Sequence, residues 1–215
     1  MATVSPTPSA PGLPTDVLAR LALRGTIRTF PRKTVLIHEG DQSNSLFVIV
    51  SGRVKVYLSD KEGREVTLAV QGPGEYFGEL VLDGGPRSAS VMTLGSTQCL
   101  VVRQGELGQF LADNPEFALH LIRDLMRRTR RLTEDVRSLA LLDVYGRVAR
   151  VLIELAHDVD GRQIVIERLT QQDIANRVGA SREMVNRILR DLECGGYIHR
   201  ENDHIVIDRA PPARW

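Results

Sequence analysis

The hydrophobic period of this 215-residue chain changes at Asn114-Pro115. Upstream, from Thr29 to about Val102, apolar residues come in short alternating or continuous runs. Downstream they recur every three or four residues, the period of helices. The upstream runs place strands at Thr34–Ile37, Ser45–Val50, Val54–Ser59, Glu65–Val70, Ala89–Thr93 and Gln98–Val102. Gly40-Asp41, Ser51-Gly52, Asp60 to Gly63 and Gly72-Pro73-Gly74 break them. Short strands at this spacing predict an antiparallel barrel or sandwich. A short amphipathic helix, Asp16 to Leu23, precedes it, with Val17, Leu18, Leu21 and Leu23 apolar.

In the helical half, Ile122, Leu125, Thr129, Leu132, Val136 and Leu139 are spaced 3, 4, 3, 4, 3. This is an a/d stripe of about three heptads on a helix of about 28 residues. The stripe could pack on its own domain. Its narrowness and its charged flanks (Arg127, Arg128, Arg130, Arg131, Glu134, Asp135) favour a symmetric dimer through residues 114–142.

The heptad fades at Leu142-Asp143-Val144, where Asp143 can cap a new helix, Gly146 to Asp158. A strand over Arg162 to Arg168 follows. Leu169 to Leu192 then reads as two short helices around Gly179. Thr170 and Asp173 fit a capping box and Ser181 a second N-cap. Gly195-Gly196 supplies αL-tolerant residues after the second helix. Tyr197–Arg200 and His204–Ile207, joined by Glu201-Asn202-Asp203, form a hairpin. Helix-turn-helix plus hairpin is a winged-helix arrangement.

The second helix should bury Met184, Val185, Ile188 and Leu189 and expose Arg182, Glu183, Asn186, Arg187 and Arg190. In a helix-turn-helix the second helix enters the DNA major groove. Arg takes guanine bidentately and Glu accepts from the cytosine amino group. A plain surface helix with i,i+4 charges has the same pattern. Residues 143–215 hold 11 Arg, no Lys and 12 Asp or Glu, a net of −1. Any affinity for DNA must therefore come from local arginines rather than a basic field.

Cys99 and Cys194 are far apart and in no metal-ligand spacing, which predicts buried free thiols. Residues 1–15, rich in Pro, Ser and Thr, read as a disordered leader and not a signal peptide. No run approaches the roughly 20 apolar residues of a membrane span. Of His38, His120, His157, His199 and His204, only His38 falls among the strands. A small metal enzyme of the β-barrel type is thus disfavoured, and no nucleophile–base set suggests any other enzyme.

One segment between strands carries chemistry: Glu75 to Ser90, EYFGELVLDGGPRSAS. Gly78-Glu79-Leu80 can open a short helical turn, whose N–H groups attract phosphate. Arg87 adds a charge-assisted pair and Ser88 a hydroxyl. Glu79 would repel phosphate but suits a ribose hydroxyl.

Three motifs in order, FGEL followed by PRSAS, LALLDVYGRVARVL, and TQQDIANRVGASREMVNRIL, resemble the cyclic-AMP receptor protein / fumarate-nitrate regulator (Crp/Fnr) family of bacterial transcription factors, from about Asp16 to Ile207. The resemblance implies an α+β fold: a cyclic-nucleotide-binding-like β-roll, a double-stranded jelly roll (16–113), a long dimerisation helix (114–142) and a winged helix-turn-helix (143–215). It implies a homodimeric, cytoplasmic, ligand-responsive regulator that binds double-stranded DNA and RNA polymerase. The ligand it implies is a cyclic nucleotide, cyclic AMP first, with cyclic GMP, cyclic di-GMP, another signal or no small ligand as alternatives. Arg87 and Ser88 would hold the phosphate with the Gly78-Glu79-Leu80 turn, and Glu79 the ribose hydroxyl. Arg128 matches a basic residue near the ligand. Of two adjacent hydroxyl positions on the long helix, Thr133 matches and Leu132 does not. Ser181, Arg182, Glu183 and Arg187 match the branch reading TGTGA-type half-sites, with Thr170 and Gln172 holding phosphate. The cysteine set of the iron–sulfur branch is missing, and no haem ligand can be assigned, so neither cluster, haem nor metal is expected.

Overall fold

A computed structural model describes residues 13–42 and 44–212. The chain forms two compact units, one from residues up to Asp60 plus Thr67–Arg128, the other from Lys61–Val66 plus Thr129 onward. The expected 1–15 leader is only partly covered: residues 1–12 lie outside the described residues. Leu13 is 7% exposed and donates its N–H to the Gly74 carbonyl, so the disordered assignment does not hold at this position.

The first unit begins with α1 (Thr15–Ala22), β1 (Gly25–Phe30) and β2 (Val35–Ile37). Strands β3 (Ser45–Ser51), β4 (Val54–Ser59), β5 (Glu65–Gln71) and β6 (Tyr76–Phe77) follow. After a 3-10 turn at Glu79–Leu82 come β7 (Ser90–Thr93), β8 (Thr97–Arg103) and α2 (Gln104–Asp113). The strands form two four-stranded sheets, β1-β8-β3-β6 and β2-β7-β4-β5. Side chains alternate across a strand, and β3 uses both faces. Leu46 and Val48 join a core with Val17, Leu21, Leu107, Phe110 and Phe117 of the helices. Ile49 joins the core between the sheets, with Ile37, Val54, Phe77, Val91 and Cys99.

Helix α3 runs Pro115–Leu141, 27 residues. Its pattern departs from expectation at one position. Leu125 packs against the first unit's core, while Met126 is 57% exposed. The exposed apolar line is therefore Leu119, Ile122, Met126, Leu132, Val136 and Leu139. A strict a/d reading chose Leu125 because 3- and 4-residue steps from Ile122 are both helical neighbours.

In the second unit Asp143 caps α4 (Val144–Leu155) through its carboxylate and the Gly146 N–H at 2.7 Å. β9 (Ala156–Val159) and β10 (Arg162–Val165) pair across Asp160-Gly161, both at positive φ. The helix expected to Asp158 thus stops at Leu155, and the strand expected to Arg168 stops at Val165. Helices α5 (Gln171–Val178) and α6 (Arg182–Cys194) flank Gly179, which is left-handed at φ 62°. β11 (Ile198–Glu201) and β12 (His204–Ile207) complete the sheet β11-β12-β10-β9. Its core holds Tyr145, Val148, Leu152, Ile174, Val178, Val185, Ile188 and Leu192. Gly195 stays right-handed at φ −74°, and Gly196 alone of the pair is left-handed, at φ 66°. Cys99 is buried, which pushes its thiol up to about 11. Cys194 is exposed, against expectation, because it sits on the last turn of α6 away from the core. Leu23 is also exposed, at 85%, just past the end of α1.

Among the described residues, no helix is long and apolar enough to cross a membrane, and no His, Cys, Asp and Glu group could hold a metal ion.

Candidate functional site

Gly78 follows β6 with a left-handed backbone, φ 80° and ψ 17°, and stands at the N-cap of the 3-10 turn Glu79–Leu82. A side chain there would be strained by the dihedral alone. The next anchor is Arg87. Its main chain is tied on both sides, Arg87 N–H to the Asp41 carbonyl at 2.9 Å and Gly40 N–H to the Arg87 carbonyl at 2.8 Å. Its guanidinium turns inward, donating to the Gly78 carbonyl at 3.0 Å and the Ser45 carbonyl at 2.7 Å.

Arg87 is 8% exposed. Burial lowers its pKa from the ordinary arginine value, and Glu79 and Asp41 oppose that shift from a distance. Among the described residues no carboxylate lies within ion-pair distance of it; its hydrogen-bond partners are neutral carbonyls. A buried cation with no carboxylate in direct contact is costly, and an anion placed against it lowers that cost.

Around it lies a cleft open to solvent. Gly78, Glu79, Leu80, Arg87, Ser88 and Arg128 all line it, so the structure brings together six of the seven expected ligand residues. Ile37, Val56, Phe77 and Val91 supply apolar wall. Cation, carboxylate and apolar wall together fit an anionic ligand that also has a hydroxyl and a flat apolar part. Thr133 belongs to the second unit; it is exposed, and its hydroxyl donates to the Thr129 carbonyl at 3.0 Å.

Arg128 is held at all three guanidinium nitrogens. Nη1 meets Glu79 Oε1 at 3.0 Å, Nη2 donates to the Tyr76 carbonyl at 2.8 Å, and Nε meets Asp124 Oδ2 at 2.9 Å. The guanidinium also lies over the Tyr76 ring, 4.9 Å from its centroid. Asp124, 2% exposed, takes Arg127 as well, at 3.0 Å. Burial, and after it the neighbouring Asp124 carboxylate, raise the Tyr76 hydroxyl above its ordinary pKa. Arg128 thus shares its charge between two carboxylates, leaving Arg87 as the cation available to an anion. Asp124, Tyr76 and Gln71 were not anticipated. For Asp124 the signal was present as acid–base spacings of three and four to Arg127 and Arg128.

In the second unit, Thr170 and Asp173 form the expected capping box. Thr170 Oγ1 accepts from the Asp173 N–H, and Asp173 Oδ2 accepts from the Thr170 N–H at 2.9 Å. The Thr170 hydroxyl also donates to Asp173 Oδ2 at 2.6 Å. Gln172 is exposed and donates to Asn176 Oδ1 at 2.7 Å. Ser181 caps α6, accepting from the Met184 N–H at 3.2 Å. Arg182, Glu183, Arg187 and Arg190 are exposed, while Val185, Ile188 and Leu189 are buried. Two expectations shift: Met184 is 38% exposed, because it sits in the first turn beyond the packed face. Asn186 is half-buried, accepting from Gln171 of α5 at 2.8 Å.

Comparison with known proteins returns the same two parts. Residues 27–114 match the model of the cyclic nucleotide-binding domain, and residues 146–211 the model of the Crp-like helix-turn-helix domain. The CRP-like cAMP-activated global transcriptional regulator of Mycobacterium tuberculosis is 38% identical over 183 residues, covering 83% of this chain and 82% of that protein. The cAMP-activated global transcriptional regulator CRP of Haemophilus influenzae is 36% identical, covering 84% and 83%. Among solved structures, the c-di-GMP responsive global regulator CLP of Xanthomonas campestris superimposes with a TM-score of 0.79 at 25% identity, covering 90% of this chain and 99% of that one.

Proposed function

The chain belongs to the Crp/Fnr family of transcription regulators, and from that premise we propose that it is a homodimer that takes cyclic AMP into the Arg87 cleft and reads a TGTGA-type palindrome. The observation that carries the ligand half is the buried guanidinium of Arg87, whose hydrogen bonds go to carbonyls and not to a carboxylate. Arg87 receives the cyclic phosphate with Ser88 and the N–H groups that open the Gly78-Glu79-Leu80 turn. Glu79, held by Arg128, accepts from the ribose hydroxyl. The apolar wall takes the base, and Thr133 of one chain or its partner meets the base edge.

The dimer forms along the exposed line of α3. Two copies of α6 then address two half-sites roughly 34 Å apart. Arg182 and Arg187 read guanines, Glu183 reads a cytosine amino group, and Thr170, Gln172 and Ser181 stand at phosphate-facing helix starts. Ligand binds one arrangement of the dimer more tightly than the other and so biases DNA affinity. RNA polymerase is the partner through which a bound regulator acts, and the cytoplasm the place.

A second reading replaces cyclic AMP with cyclic di-GMP. It is favoured by the likeness to the c-di-GMP responsive regulator and by the exposed Leu132 beside Thr133.

Titration calorimetry with cyclic AMP, cyclic GMP and cyclic di-GMP decides among these. The expected result is cyclic AMP binding that Arg87→Ala abolishes; binding that survives the substitution places the ligand elsewhere. In gel shifts on a TGTGA-type palindrome, Arg187→Ala should weaken binding by about 1–3 kcal/mol. Equal binding by both proteins would sink the base-reading assignment.

A further inference from the structure

Gln71, the last residue of β5, lines the cleft and is 6% exposed. Its amide nitrogen donates to the Tyr76 carbonyl at 3.1 Å. That bond fixes which way the amide points, because the flipped amide would set oxygen against oxygen. The other end, Oε1, is then a buried acceptor, and it has no hydrogen-bond partner among the described residues. A buried polar atom left unpaired in a native structure calls for a partner. Gln71 is not required for the Tyr76 carbonyl, which also accepts from Arg128 at 2.8 Å.

We propose that Gln71 is a specificity-determining residue whose Oε1 accepts a hydrogen bond from the bound nucleotide. This rests on the cleft being the nucleotide site. The donor is an O–H or N–H of the ligand, and it has two possible sources, the ribose 2′-hydroxyl or the amino group of the base. An apolar side chain at this position would tolerate a ligand with or without the donor; the glutamine penalises one that lacks it.

The test compares Gln71→Met, nearly isosteric, with the wild-type chain, using cyclic AMP, 2′-deoxy cyclic AMP and the cyclic nucleotide of unsubstituted purine. Gln71→Leu serves as a second variant. The expected result is a three- to ten-fold loss of cyclic AMP affinity. The loss should vanish for one of the two analogues, and that analogue names the donor. Unfolding of the ligand-free variant should stay at the wild-type temperature or rise, since an unpaired acceptor has been removed. Unchanged cyclic AMP affinity, or an equal loss for all three nucleotides, overturns the proposal and leaves the nucleotide site standing. Failure of the wild-type chain to bind any of them overturns the site and the proposal together.

Discussion

Arg87 and Gly78 are bound to each other across nine residues: the guanidinium donates to the glycine carbonyl at 3.0 Å, and a Cβ on Gly78 would collide with that same Nη1. The turn and the cation are one piece. Gly78→Ala should therefore do two things. It should cost about 1–2 kcal/mol for a left-handed alanine, seen as a thermal midpoint lower by several degrees. It should also displace Arg87 and lower nucleotide affinity at least ten-fold in calorimetry. Full affinity in a destabilised protein would show that the two are separable.

The exposed line of α3 and the residue beside it make opposite predictions. Val136→Glu, at a position 64% exposed, should convert the proposed dimer to a folded monomer in sedimentation velocity; a wild-type chain that is itself monomeric would overturn the dimer. Leu125→Ala should leave the oligomeric state alone. It should cost the first unit about 1–2 kcal/mol, less than the 2–5 kcal/mol of a fully buried site.

Thr170→Ala removes the hydroxyl half of the α5 capping box. The cost is about 1 kcal/mol, within the usual 0.5–2 kcal/mol of an N-cap, read by thermal unfolding. Thr170→Ser keeps the oxygen and should restore the midpoint. If serine restores stability but not affinity for DNA, the methyl group rather than the cap serves binding.

His199 offers a test by pH. Its hydrogen bond to Asp208 at 2.8 Å, followed by the charges of Asp208 and Glu201, raises its pKa above 6.5. The folded value exceeds the unfolded one, so its stabilisation is fully present below pH 6.5 and fades as pH rises through the folded pKa. NMR titration of the imidazole should show a midpoint above 6.5. Asp208→Asn should bring it down; no movement would dissociate the shift from that bond.

Much of this was legible in the sequence where a local interaction sets the backbone. Asp143, Thr170 and Ser181 cap the helices they were expected to cap, because a cap needs nothing beyond the next three residues. Six strands were visible as apolar runs. Strand β1 was not, since four of its six residues are exposed and it is held by its ladder to β8 instead. Helix α2 was hidden by Gly105 and Gly108, which propensity argues against and which Leu107 and Phe110 override by packing. At the cleft, the cation and carboxylate were readable as a motif. Gln71 was not: a glutamine at a strand end carries no signal until the carbonyl that orients it is in place.

Arg87 has a last consequence, for what counts as a ligand-free receptor. If the proposed site holds a nucleotide through its phosphate, inorganic phosphate or sulfate should compete for the same guanidinium, less tightly. The resting state of the protein is then defined by its solvent. In phosphate buffer the baseline should then be a partly filled site, with the apparent strength of the effector reduced by competition. The affinity of this regulator is a number that has meaning only together with the anions around it.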